Sequence, residues 1–214
     1  FGVFGEIVDP TRGDSDRRKQ RLFWSDNGWG MELGYEPDTL STRVKMSHHQ
    51  LKIEMHCSDV VDFHRPVHVR RIEVHNKSDQ DRDLRLFHHN DFFMYGTRIG
   101  DTAYYDPKMR CLIHYRKSRY LMACWYADGE QQIDEYATGT AGFNGAEGTW
   151  RDAEDGRLGG NAIAQGAVDS TMMLRVRLAP HESKVVYLII GAGECHADIQ
   201  AIHRFLHRSR GPQE

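Results

Sequence analysis

The stretch LKIEMHC at residues 51–57 alternates apolar and polar side chains without a break, Leu51, Ile53, Met55 and Cys57 against Lys52, Glu54 and His56. Successive side chains of a strand point to opposite faces, so this pattern describes a strand with one face in a core and the other in water. The same period recurs in Met172, Leu174, Val176 and Leu178, and again in Leu84 and Leu86. Between Val67-Val69 and Ile72-Val74 the phase changes at Arg70-Arg71, which predicts a β-bulge. The run from Val185 to Ile190 is apolar at every position, as expected of a central strand covered on both faces.

Turn-forming clusters separate these runs: Asp26-Asn27-Gly28, Asn76-Lys77-Ser78-Asp79, Asp128-Gly129 and Ala179-Pro180-His181-Glu182. Their spacing is that of antiparallel meanders. A single stretch, 196–209, has helical periodicity, with Ile199, Ile202 and Leu206 on one stripe and Arg204, His207 and Arg208 toward its C-terminal end. Burying three such side chains contributes on the order of 5 kcal/mol. The stripe is therefore expected either to fold back on the protein's own sheet or to drive self-association. The expected fold class is all-β and antiparallel, with one C-terminal helix.

The chain has 214 residues, 39% hydrophobic and 28% charged, with a net charge of -3. This is the composition of one globular domain with a real core. No apolar run approaches the roughly 18 residues that span a bilayer, and the charge leaves no footprint for nucleic acid; the basic run at 16–21 reads as a solvated loop. Cys57, Cys111, Cys124 and Cys195 form no CxxC pair. Reduced thiols and a cytoplasmic location are expected. The opening Phe1-Gly2-Val3-Phe4, without methionine or signal peptide, reads as the start of a fragment.

Thirteen histidines invite a metal reading at His48-His49, His64, His68 and His88-His89. Neighbours on a strand point apart, so His88 and His89 cannot share an ion, and neither metal nor cofactor is expected. No Gly-x-Ser-x-Gly elbow presents a nucleophile, and Gly159-Gly160 does not join a strand to a helix, so it cradles no phosphate. What remains is polar and aromatic loop chemistry suited to sugars. Asp101, Tyr104 and Tyr105 lie in one such segment. Glu147, Trp150, Arg151, Asp152, Glu154 and Asp155 lie in another, EGTWRDAEDG at 147–156, and Asn161 and Gln165 follow it. The plain alternative makes Trp150 a core plug and pairs Arg151 with a carboxylate inside the loop.

Several longer segments carry a resemblance: Tyr35-Glu36-Pro37-Asp38-Thr39-Leu40, Asp59-Val60-Val61-Asp62-Phe63-His64, Arg85-Leu86-Phe87-His88-His89-Asn90-Asp91-Phe92, 100–107, 147–156 and Gln165-Gly166-Ala167-Val168-Asp169-Ser170. Over 1–195 the chain resembles the N-terminal β-sandwich domain of bacterial and archaeal glycoside hydrolases of family fifteen, the glucoamylase, glucodextranase and trehalase group. The resemblance implies a galactose-mutarotase-like super-sandwich at 1–195, lacking its first strands, and a linker helix and tail at 196–214 leading to a helical (α/α)6 barrel. It places the catalytic glutamates on that barrel, so no catalytic residue is assigned to this chain. Its implied partners are the barrel and, through the parent enzyme, an α-glucan or glucoside, and 147–156 becomes a loop at the sandwich edge facing the barrel. Two other functions stay open. A free carbohydrate-binding module would expose Trp150, Tyr104 and Tyr105 on one concave surface. A mutarotase-like epimerase would bring a histidine and a carboxylate together on a sugar's C1 and O5.

Overall fold

A computed structural model describes residues 1–8, 18–97, 99–142 and 145–208. Of the basic run at 16–21, read as a solvated loop, the first two residues lie outside the described ones, whereas 18–21 are not a loop: their backbone pairs with 5–8 as the start of a strand. The tail after Arg208 lies outside the described residues as well. Fifteen strands are described: β1 (Gly2–Val8), β2 (Arg18–Trp24), β3 (Gly30–Tyr35), β4 (Thr42–His48), β5 (Ile53–Val61), β6 (Val67–Asn76), β7 (Arg82–Asn90), β8 (Asp101–Asp106), β9 (Cys111–Arg116), β10 (Arg119–Ala127), β11 (Glu130–Gln132), β12 (Glu135–Thr140), β13 (Ile163–Gly166), β14 (Val168–Leu178) and β15 (Ser183–Gly193). One helix, α1 (His196–Arg208), follows.

The strands form two antiparallel sheets. The small one has the order β12-β14-β7-β1-β2, and the large one β13-β8-β9-β10-β15-β6-β5-β4-β3 with β11 beside β10. Their facing sides supply the main core, and the alternation read from the sequence says which side chains enter it. Leu51, Ile53, Met55 and Cys57 are buried there against Leu84, Leu86, Met172, Leu174 and Val176, around the fully buried Trp125.

The outer faces are covered too, and this explains two features of the sequence. On the large sheet α1 lies across β10 and β15, burying Ile199, Ile202 and Leu206 against Cys111, Ile113, Met122, Cys124 and Ile189. The stripe has folded back on the sheet. Gly191 permits the close approach: a Cβ there would lie 3.1 Å from Cδ1 of Ile202. The helix start is capped by Asp198, whose Oδ2 accepts the N–H groups of Glu194 (2.8 Å) and Cys195 (3.1 Å). Because α1 covers its outer face, β15 is apolar on both sides, as its sequence predicts.

The bulge expected at Arg70-Arg71 is not formed. β6 pairs without interruption with both neighbours, Arg70 and Arg71 opposite Leu188 and Tyr187 of β15 and opposite Asp59 and Ser58 of β5. The phase change has another cause. Ile72 and Val74 face the core between the sheets, whereas Val67 and Val69 face outward into the layer beneath α1. The strand changes its covered face along its length without changing its register.

Candidate functional site

The expected sugar-binding residues are distributed over several surfaces. Tyr104 and Tyr105 are neighbours on β8 and point apart. Tyr105 stacks on Tyr136 between the sheets (3.9 Å between centroids, 17°), and Tyr104 lies on the helix side, edge-on to Tyr115. One concave surface cannot display both. Asp101, at the start of β8, is buried with Arg116 Nη1 3.6 Å away. Burial raises its carboxyl above the ordinary value, and the Met94 N–H and Arg116 only partly offset this.

The 147–156 stretch is a loop, but it lies across the outer face of the small sheet and not at an edge. Its apolar contribution is Ala153, with Leu158 just beyond, packed on Phe4, Phe87 and Met173. Trp150 is no core plug: it is half-buried, and its Nε1 donates to the Glu147 carbonyl (2.8 Å). The carboxylates are spent within the loop. Arg151 pairs with Glu147 and with Glu154 (2.7 Å), Asp152 accepts the Gly159 N–H (2.5 Å), and Asp155 accepts the Arg157 N–H (2.9 Å). Gly156, at φ 83°, closes the turn where a Cβ would strike the Phe4 ring at 2.6 Å, and its carbonyl accepts from Arg85 (2.5 Å).

The residue that anchors the loop was not among the candidates. Thr149 reaches Asp169 of β14, whose side chain is fully buried. Oδ2 of Asp169 accepts the Thr149 N–H (2.5 Å) and hydroxyl (2.9 Å) and sits 2.9 Å from His89 Nε2. Thr149 Oγ1 continues the network to Thr171 (2.8 Å). Burial alone would raise the Asp169 carboxyl, yet the hydrogen bonds from His89 and Thr149 outweigh it and hold it below the ordinary 3.8.

On the opposite, core-facing side of the same sheet lies a second polar group. His114 Nε2 meets Ser170 Oγ at 2.7 Å, Asn90 Nδ2 donates to the same oxygen (3.3 Å), and the Phe92 ring stands edge-on to His114. Burial pulls the His114 pKa down to about 4 and that of His88 well below its usual range. His88 faces the core and His89 the loop, as strand alternation requires. Among the described residues no three histidine, cysteine or acidic side chains converge as metal ligands. The four thiols are free, Cys195 exposed and the others buried, and no described helix is long and apolar enough to cross a membrane.

The two polar groups are separated by the sheet itself, so they are not halves of one open site. Histidines meet carboxylates at several places, as at His68 and Asp59 (3.1 Å) on the neighbouring strands β6 and β5; the pair with a fully buried carboxylate, His89 and Asp169, lies beneath the Thr149 roof. The arrangement can bolt a loop to a sheet.

Comparison with known families places the fold. The model of the glycosyl hydrolase 94 supersandwich domain matches residues 34–209. The chain belongs to this family. The supersandwich domain is thus assigned to family ninety-four, where the sequence motifs resembled family fifteen, and both readings share the fold. Among solved structures it is similar to a bacterial glucoamylase complexed with acarbose, with 8% identity and a TM-score of 0.67, over 96% of this chain and 28% of that one. It is also similar to a polysaccharide lyase, with 10% identity and a TM-score of 0.52, over 98% of this chain and 27% of that one. At such identities the likeness concerns the fold alone. The supersandwich chain spans little more than a quarter of the length of either protein. No curated protein matches its sequence.

Proposed function

We propose that this supersandwich domain is a non-catalytic part of an enzyme acting on glycosidic bonds, and that it packs against and orients a catalytic (α/α)6 barrel. The observation that carries the reading is the family match over 34–209. The use of the carboxylates supports it. An inverting glycosidase needs an acid and a base roughly 6.5–9.5 Å apart across an open sugar site. Here Asp152, Glu154 and Asp155 are tied within their own loop and Asp169 is roofed by Thr149. The assignment of the bond as α-glucosidic rests on the family-fifteen motifs, and the interdomain role of 147–156 belongs to the same proposal.

The experiment is an assay of the purified chain on maltose, starch, dextran and trehalose. No glucose release above blank is expected. Release that disappears on a single substitution within this chain would place catalysis here and overturn the reading.

A further inference from the structure

The sheet edges of this protein differ in how they are protected. Edge strands present unpaired N–H and C=O groups, which proteins normally blunt with charge, proline, bulges, shortness or cover. β12 is covered, its Tyr136 carbonyl accepting from Gly160 (2.9 Å) and its Thr138 N–H donating to Asn161 (3.0 Å). β13 has four residues, and the sequence of β2, RKQRLFW, carries three cations. β3, GMELGY, is six residues long, has no proline and no bulge, and carries one charge, Glu32. Among the described residues it pairs with β4 alone, in unbroken register from Gly30–Ser47 to Tyr35–Thr42.

Its geometry is that of an unused half-ladder. Glu36 N donates to Ser41 O at the hairpin (2.9 Å), so alternation turns the N–H and C=O of Met31, Leu33 and Tyr35 away from β4. Their side chains share the face of Val44 and Met46, which deeper in the sheet lines the core. The small sheet does not reach them, and they are 44%, 77% and 66% exposed.

We propose that β3 pairs with β3 of a second copy of this chain, antiparallel about a two-fold axis through Leu33. That register sets Leu33 on Leu33 of the second copy and Met31 on Tyr35, and it uses every outward N–H and C=O of the three residues. It also sets Glu32 opposite Gly34. Beside Gly34 lies Arg43 of β4, with Nη2 3.7 Å from where a Cβ of Gly34 would be, so its guanidinium stands at the edge. Glu32 of each copy therefore reaches Arg43 of the other across a position without a side chain, twice by symmetry. The edge is self-complementary in hydrogen bonding, apolar contact and charge, as a two-fold interface requires. Because the α1 stripe is already covered, self-association runs through β3 and not through the helix.

Sedimentation velocity on the 214-residue chain over a dilution series tests this. A reversible monomer–dimer equilibrium is expected. Leu33→Lys, which opposes two ammonium groups on the axis, weakens it by roughly tenfold or more while leaving the exposed strand folded by circular dichroism. Glu32→Arg and Arg43→Glu each weaken self-pairing as well. An equimolar mixture of these two variants restores dimers, because each interface then holds two opposite-charge pairs, a rescue in trans that no change within one chain can mimic. A wild-type monomer at every concentration would overturn the proposal and leave the edge to a strand of another protein. Dimers indifferent to Leu33→Lys, or a mixture no better than its components, would overturn it equally.

Discussion

Asp169→Ala lowers the stability of the domain by about 3–5 kcal/mol, the usual cost of removing one partner from a buried charged network. For a chain of this size that corresponds to a fall in Tm on the order of 10 °C. The substitution strands the Thr149 N–H and His89 together, leaves the Thr149 hydroxyl with Thr171 alone, and releases the anchor of the loop that covers Phe4 and Phe87. Arg151→Ala, in the exposed part of the same loop, leaves the melting temperature almost unchanged.

The pH dependence gives the prediction its sign. Asp169 is held below 3.8, so its contribution is complete above that pH and is lost as the pH falls further, through its folded value. His114, pulled from 6.5 to about 4 by burial, is a second source of acid sensitivity, costing stability between those two values; the Asp169 charge raises its pKa, so without Asp169 this cost is larger and not smaller. The gap between wild type and Asp169→Ala in urea titrations should thus not narrow between neutral pH and about 3.8, and should narrow only below it. Curves that coincide at neutral pH would show that the Asp169 network contributes nothing.

The second large effect is at the helix. Ile202→Asp places a carboxylate in the layer between α1 and the large sheet, losing about 1.5–3 kcal/mol of apolar burial and adding a desolvation cost. The helix has a cheaper response than global unfolding, since undocking returns the charge to water. Undocking also uncovers Cys111 and Cys124, buried in that layer, while Cys57 stays between the sheets. Burial pushes the Cys124 thiol up to about 12 and that of Cys111 well above its ordinary value, so neither reacts readily while the helix is docked. Titration with a thiol reagent should find one fast thiol in the wild type, Cys195, and three in Ile202→Asp. Gln200→Asp, on the exposed face of α1, should match the wild type. Equal reactivity in all three proteins would mean that α1 does not protect the sheet.

The strands and the helix were legible because burial on one face writes a period into the sequence. Leu51 to Cys57 gave the register of β5, and Ile199, Ile202 and Leu206 gave the buried face of α1. The Asp169 site had no such signature. Thr149 and His89 lie 20 and 80 residues from Asp169, and His89 and Asp169 sit on a sheet face that would be open to water but for the 147–160 segment. Within EGTWRDAEDG the charged residues drew attention, whereas the anchor is its threonine. Arg70-Arg71 misled for a related reason: a phase change reports which face is covered, and a layer above the sheet changes that as readily as a bulge does. Tyr104 and Tyr105 looked like one aromatic platform only because adjacency in sequence is opposition on a strand.

The central claim, that this domain serves a catalytic barrel, is tested most directly by the size of the native polypeptide, measured by immunoblot of its source cells with an antibody against this chain. The account predicts a polypeptide roughly three to four times as long as 214 residues, since the chain fills 28% and 27% of the two solved proteins that share its fold. A native protein no larger than the chain itself, running alone in size-exclusion chromatography of the same extract, would contradict it.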